Sequence, residues 1–317
     1  MARRPPPSLP PRDASAGAPS VPSSLLRSLV VSLRPQQWTK NLVVFAALLF
    51  GRQLLDGTAV LRALVAFGVF CALSGVVYLV NDVFDREQDR RHPIKKTRPI
   101  ASGALQPGTA TAIAVALSAG ALLVAFALGP AFGVASATYV ALLAAYSVVL
   151  KHLVILDVIV IALGFVLRAA GGALAIGVPI SHWLLVCTIL LALFLALAKR
   201  RHELVLLADD ATSHRRILRE YSPYLLDQMI GVVTASTLMG YALYTVSPET
   251  IEKFGSDRLL LTLPFPIYGI FRYLYLVHQK QGGGSPAEML LEDRPLLLCV
   301  ALWAAAVVVI VYHPFGP

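Results

Sequence analysis

The run Leu184-Leu185-Val186-Cys187-Thr188-Ile189-Leu190-Leu191-Ala192-Leu193-Phe194-Leu195-Ala196-Leu197-Ala198 carries no charge and stops on Lys199-Arg200-Arg201. With its flanks it forms a stretch, 182–201, long enough for a helix to cross a bilayer. Ile155–Leu167, apolar but for Asp157, is a second run of this kind. Composition agrees: 57% of the 317 residues are hydrophobic and only 14% are charged, where a soluble domain carries about 25% charge. The mean hydropathy is +0.70. In lipid the backbone must satisfy its own hydrogen bonds, so the choice is a helix bundle or a closed barrel. The apolar runs are continuous rather than alternating, which excludes the barrel. The chain is predicted to be all-α, a polytopic membrane helix bundle.

Nine spans are predicted, at 26–50, 60–86, 108–128, 131–150, 155–177, 182–201, 224–246, 258–278 and 293–312. The first is interrupted by Arg34, Pro35 and Lys40. Residues 1–22, rich in Pro, Ala and Ser, are predicted to be a disordered tail. Arg3 and Arg4 lack the apolar run of a signal peptide behind them, so no cleavage is expected. The remainder, 23–317, reads as one transmembrane domain.

Basic residues follow the even-numbered spans: Arg86, Arg90, Arg91, Lys95, Lys96 and Arg98 after the second, Lys151 after the fourth. Lys199–Arg201, Arg215, Arg216 and Arg219 follow the sixth, and Lys280 and Arg294 the eighth. The other loops hold only Arg52, Arg62, Lys253 and Arg258. The bias predicts even loops and N-terminus in the cytoplasm, with the C-terminus outside. The net charge of +9 is then membrane charge asymmetry and attraction to anionic lipid, not a nucleic-acid footprint. Cys71, Cys187 and Cys299 lie singly in apolar runs and read as small core residues. The seven His are scattered, and none is assigned a role. A homo-oligomer is compatible with all of this.

The densest chemistry is Asn81-Asp82-Val83-Phe84-Asp85-Arg86-Glu87-Gln88-Asp89, at the end of the second span. At about 100° per residue, Asp82, Asp85 and Asp89 fall within roughly 60° of one another, with Asn81 beside them. Three carboxylates on one stripe repel unless a cation sits among them. Hard oxygen donors suit Mg²⁺, which commonly completes its shell with phosphate oxygens. The stripe therefore predicts a metal-assisted diphosphate clamp. The competing reading is a solvated helix end whose acids pair with Arg86, Arg90 and Arg91. The acids directly follow an apolar span, where ionised groups usually serve function, and that favours the clamp. Lys95 and Arg98 in the next loop are candidate phosphate contacts. Pro99 stiffens the backbone of Arg98.

Asn-Asp-x-x-Asp-x-x-x-Asp at a span end, followed by Arg98-Pro99-Ile100-Ala101-Ser102-Gly103, resembles the UbiA superfamily of intramembrane prenyltransferases. The finer resemblance is to its decaprenyl-phosphate phosphoribosyltransferase branch. It rests on Arg34-Pro35-Gln36-Gln37-Trp38-Thr39-Lys40-Asn41, His92-Pro93-x-Lys95, Leu150-Lys151-His152, Leu167-Arg168-Ala169 and Lys199-Arg200-Arg201-x-Glu203-Leu204. It covers about residues 27–313. It implies nine helices around a central cavity, Mg²⁺, phosphoribosyl diphosphate as donor and a polyprenyl phosphate lipid as acceptor. Tyr146 and Lys151 match the superfamily's Tyr-x-x-x-x-Lys placement. The superfamily's second paired-aspartate motif is reduced here to Asp157 alone.

Asp157 and Arg168 share a face of the fifth span, about 16 Å apart along the axis. An arginine three turns into a span should face a cavity or pair with an acid on a neighbouring helix. Three consecutive bases cannot share one helical face, so only one or two of Lys199, Arg200 and Arg201 can reach a cavity. Lys40 is a further candidate. In the implied mechanism, metal on Asp82, Asp85 and Asp89 neutralises the departing diphosphate and Asp157 stabilises an oxocarbenium-like ribose. The acceptor phosphate, already anionic, attacks without a general base and inverts the anomeric carbon. Two rivals stand beside this: prenyl transfer from a prenyl diphosphate to an aromatic acceptor, and an ion-coupled transporter.

Overall fold

Among the described residues, eight helices are long and apolar enough to cross a membrane. The computed structural model describes residues 25–93, 95–206, 216–280, 284 and 286–312. The tail predicted over 1–22 lies outside them. In chain order the α-helices are α1 (Leu25–Leu33), α2 (Ala46–Phe50), α3 (Gly57–Phe84), α4 (Arg86–Arg91), α5 (Pro99–Ser102), α6 (Pro107–Leu128) and α7 (Pro130–Val148). They continue with α8 (Leu156–Ile176), α9 (His182–Leu206), α10 (Pro223–Val246), α11 (Pro248–Phe254), α12 (Pro264–Gln279), α13 (Pro286–Glu292) and α14 (Arg294–Tyr312). No strand occurs among the described residues. Pro107, Pro130, Pro223, Pro248 and Pro264 each sit in a first helical turn, where a missing N–H is no loss.

The eight spans follow the predicted ones closely. The segment at 26–50 is different: α1, then a 3-10 stretch over Pro35–Phe45, then α2. Arg34 turns the chain at the break with φ 52°, a left-handed conformation rare for a residue with a Cβ. Leu33 packs at Gly75 near the acid-bearing end of α3. At the far end, Tyr312 Oη donates to Leu48 O (3.1 Å). Residues 34–50 therefore traverse the bundle as a ninth, broken pass.

Two close approaches fix this pass. Asn41, fully buried, donates from Nδ2 to Cys71 Sγ and Ser74 Oγ on α3, both at 3.3 Å. Gly172 on α8 lies so near the Val44 carbonyl that any Cβ there would collide with it. At the far end, Arg62 Nε donates to Ala175 O (2.6 Å) and Nη2 to Leu128 O (2.7 Å), holding the last turns of α8 and α6. Leu61, Leu123, Val232 and Met239 are exposed on the outside of the bundle, as side chains solvated by lipid should be.

The helices enclose a cavity of about 1090 Å³. One end of its wall carries Asp85, Lys151 and Arg98. The other is aromatic, with Phe50, Trp183, Tyr241, Tyr244 and Trp303. Trp303 Nε1 donates to Tyr241 Oη at 2.9 Å, so the buried polar tips satisfy each other.

Candidate active site

The acidic stripe survives the end of α3 because the helix is barely interrupted. Asp85 N donates to Asn81 O and Asp89 N to Asp85 O, each at 2.8 Å, so α4 continues the turn of α3. Asp82 and Asp89 are each 2% exposed and lie behind the cavity wall. Arg98 Nη1 stands between them, donating to Asp89 Oδ2 (2.7 Å) and Asp82 Oδ1 (3.1 Å). Arg98 is extended before Pro99, which opens α5, and Arg90 Nε ties α4 to α5 through Ala101 O (3.0 Å). The arginine is thus aimed by the backbone on both sides of it.

Arg34 completes the first pair. Its Nη2 donates to Asp82 Oδ1 at 2.6 Å, and its guanidinium lies 4.7 Å from the centre of the Tyr78 ring. Asp85 faces the cavity. Its Oδ1 accepts from Lys151 Nζ and its Oδ2 from Asn81 Nδ2, both at 2.9 Å. Lys95, Tyr146, Lys199 and Arg200 line the same wall, as do Lys40 and Arg168 deeper in. Arg201 points elsewhere, to Asp227 on α10.

Asp157 is not on that wall. It is fully buried, with Tyr221 Oη donating to its Oδ1 at 2.8 Å. Arg200 Nη2 faces its Oδ2 at 2.7 Å as an ion pair without hydrogen-bond alignment. Asp157, expected beside the donor ribose, is set back from the cavity wall, with a tyrosine and an arginine about its carboxylate. Tyr221 Oη also accepts from Ile155 N (2.7 Å), which holds Ile155 at φ 69° just before α8. Burial, and the carboxylate beside it, push the Tyr221 hydroxyl up to about 12, so it remains a donor at neutral pH. Arg200 Nη1 in turn donates to Glu203 Oε2 (2.6 Å).

Nor do the three acids of the stripe meet at one point: among the described residues, no three His, Cys, Asp or Glu side chains are placed to hold one ion. Each carboxylate is neutralised by basic side chains, which draw Asp85 toward Lys151 and the other two toward Arg98. The donor chemistry still fits a hard divalent cation. One cationic nitrogen already lies within 3.1 Å of two of these carboxylates, and Asn81 adds an amide oxygen on the same stripe.

Arg34, Glu203 and Tyr221 are members of these networks that sequence reasoning did not single out as site residues. Arg34 lies inside the quoted Arg34–Asn41 motif, which was a usable signal. Tyr221 has none, since its partner is 64 residues away.

Fold and site together define a polytopic membrane transferase whose acidic stripe and its basic partners stand at one mouth of an intramembrane cavity. The chain belongs to the UbiA prenyltransferase family, whose model matches residues 41–292. It is 34% identical to a decaprenyl-phosphate phosphoribosyltransferase of Corynebacterium glutamicum, over 92% of this chain and 89% of that one. It is 32% identical to the Mycolicibacterium smegmatis protein of the same name, over 92% of this chain and 94% of that one. In fold it matches a UbiA homolog from Archaeoglobus fulgidus solved with GPP and Mg²⁺, with a TM-score of 0.68 and 20% identity. That match covers 90% of this chain and 99% of the other.

Proposed function

We propose that this protein transfers a 5-phosphoribosyl group from phosphoribosyl diphosphate to a polyprenyl phosphate of decaprenyl type, releasing diphosphate. The observation that carries the reading is the near full-length similarity to decaprenyl-phosphate phosphoribosyltransferases. The cavity supports it: cationic side chains crowd the wall at the acidic mouth, as a polyphosphate donor requires.

In this reading the diphosphate sits at the mouth, with Lys151, Lys95 and Arg98 donating to its oxygens and Tyr146, Lys199 and Arg200 bounding it. Mg²⁺, when bound by Asp82, Asp85 and Asp89, supplies neutralisation of the leaving group's charge. The bond from the anomeric carbon to the diphosphate oxygen breaks with its electron pair going to oxygen. A phosphate oxygen of the lipid donates the pair that forms the new bond, with inversion. That oxygen is anionic at neutral pH, so no side chain needs to take a proton. The walls of the cavity exclude water from the ribosyl cation-like state. The bias of Lys and Arg to one set of loops supports an acid-bearing end that faces the cytoplasm of the cell membrane.

The test supplies purified protein with labelled phosphoribosyl diphosphate and polyprenyl phosphate, and in parallel with prenyl diphosphate and an aromatic acid. The expected result is Mg²⁺-dependent label in the lipid only in the first mixture. Product only in the second would replace this reading with aromatic prenylation.

A further inference from the structure

Among the described residues, Lys40 and Arg168 stand on the cavity wall without an acid in ion-pair range. Arg168 is 6% exposed, and its Nη2 donates to Tyr139 Oη (2.7 Å) and its Nη1 to Gly164 O (3.2 Å). Its Nε is buried with no acceptor. The guanidinium lies 4.8 Å from the Tyr139 ring centre and 5.0 Å from that of Phe165. Neutral acceptors and ring faces steady a cation but do not cancel its charge. Lys40 lines the same cavity. Among the described residues neither has a carboxylate within the 4.0 Å of an ion pair. Glu288 on α13 is the acid whose charge reaches Lys40, and it stays beyond that distance.

The two cations are level with each other. Gly172 of α8 packs on Val44 of the broken pass, and both segments run away from the acidic end. Counting back from that contact, Arg168 is four residues, or about 6 Å, up α8. Lys40 is four residues, or about 8 Å, up the 3-10 stretch. Their depth also separates them from the acids. Asn41 bonds Ser74, which is eight residues, or about 12 Å, along α3 from Asp82. A buried charge without a counter-ion is costly to keep, and every carboxylate of the stripe already has a basic partner. The charge left over in the cavity is therefore positive, and it lies deep.

We propose that Lys40 and Arg168 form a second, metal-free anion site for a phosphate monoester, separate from the diphosphate site at the mouth. An ammonium and a guanidinium at one depth of the same cavity match a dianionic headgroup that is held by charge and forked hydrogen bonds. On the phosphoribosyl-transfer reading, on which this rests, both substrates carry such a group: the donor's 5-phosphate and the lipid's phosphate. An apolar prenyl chain would find two bare charges here, so the pair also selects against the prenyl-donor chemistry.

The experiment uses the full-length protein in detergent with EDTA, so that turnover and metal play no part. Ribose 5-phosphate and farnesyl phosphate are titrated against ribose and farnesol as uncharged controls, with melting temperature and calorimetry as readouts. One monoester is expected to bind wild type above its control, and which one binds names the source. Lys40→Gln and Arg168→Gln should weaken that binding by about tenfold or more, and Arg168→Lys should restore part of it. If Arg168→Gln fails to fold, Lys40→Gln and Arg168→Lys carry the test. The proposal is overturned if neither monoester binds wild type beyond its control, or if folded variants bind as wild type does. Wild-type transfer is assayed separately, so a failure of the functional reading is distinguishable from a failure of this site.

Discussion

The cavity mouth holds two acid–base networks of opposite character. Around α3 and α4, the acids bond to Arg34, Arg98 and Lys151, all of which stand on the cavity wall. A ligand entering the cavity meets those bases first and can exchange partners with them. Around α8 and α9, Asp157 is enclosed by Arg200 and by Tyr221, which is absent from the wall. Both networks are rich in charge, yet the first presents a carboxylate, Asp85, to the cavity, while the second shows it Arg200 and Glu203 and keeps Asp157 behind them. An acid's partners, and not its presence in a span, decide whether its carboxylate reaches the cavity.

The largest effect that could break this contrast is on stability at Asp157. Asp157→Ala leaves Arg200 buried against an empty place and should destabilise the protein by about 3–5 kcal/mol, read as a lower melting temperature. A variant that melts like wild type but has lost transfer would move Asp157 into the site. Next, Asp85→Asn should lower the rate of diphosphate release by about 10²–10³-fold. Asp85 is partly exposed, so its melting temperature should stay near that of wild type, the reverse of the Asp157 pattern. Tyr221→Phe sharpens the comparison by removing only the hydroxyl that joins Ile155 to Asp157. The expected loss is about 1–2 kcal/mol of stability, with turnover less affected than for Asp85→Asn. Val232→Leu, on the lipid-facing surface, should change stability by less than about 0.5 kcal/mol. A larger shift there would mean that this face is covered.

Much of the fold is legible in the sequence because lipid imposes a simple rule: long uncharged runs become helices. The eight continuous spans follow it to within a few residues at most ends. The pass over 26–50 is legible only as an interruption. Pro35 and Lys40 mark the trouble, but nothing local says that Arg34 takes a left-handed turn or that eleven residues coil as a 3-10 helix. Those outcomes come from contacts with Asp82, Ser74 and Gly172, all distant in sequence. The acidic stripe was readable because helical periodicity is local, and so was the limit on Lys199–Arg201, of which two reach the wall. The partners of those acids were not, since Arg34 and Lys151 come from other passes. Asp157 shows the same boundary: a lone carboxylate in an apolar run looks identical whether it faces a cavity or a tyrosine.

Arg62 has a consequence for motion. One guanidinium grips the terminal carbonyls of two separate helices, α6 and α8. Nε serves one carbonyl and Nη2 the other, so unwinding of either last turn frees a side chain that still holds the other. The two ends therefore share one anchor, and their fraying is correlated rather than independent.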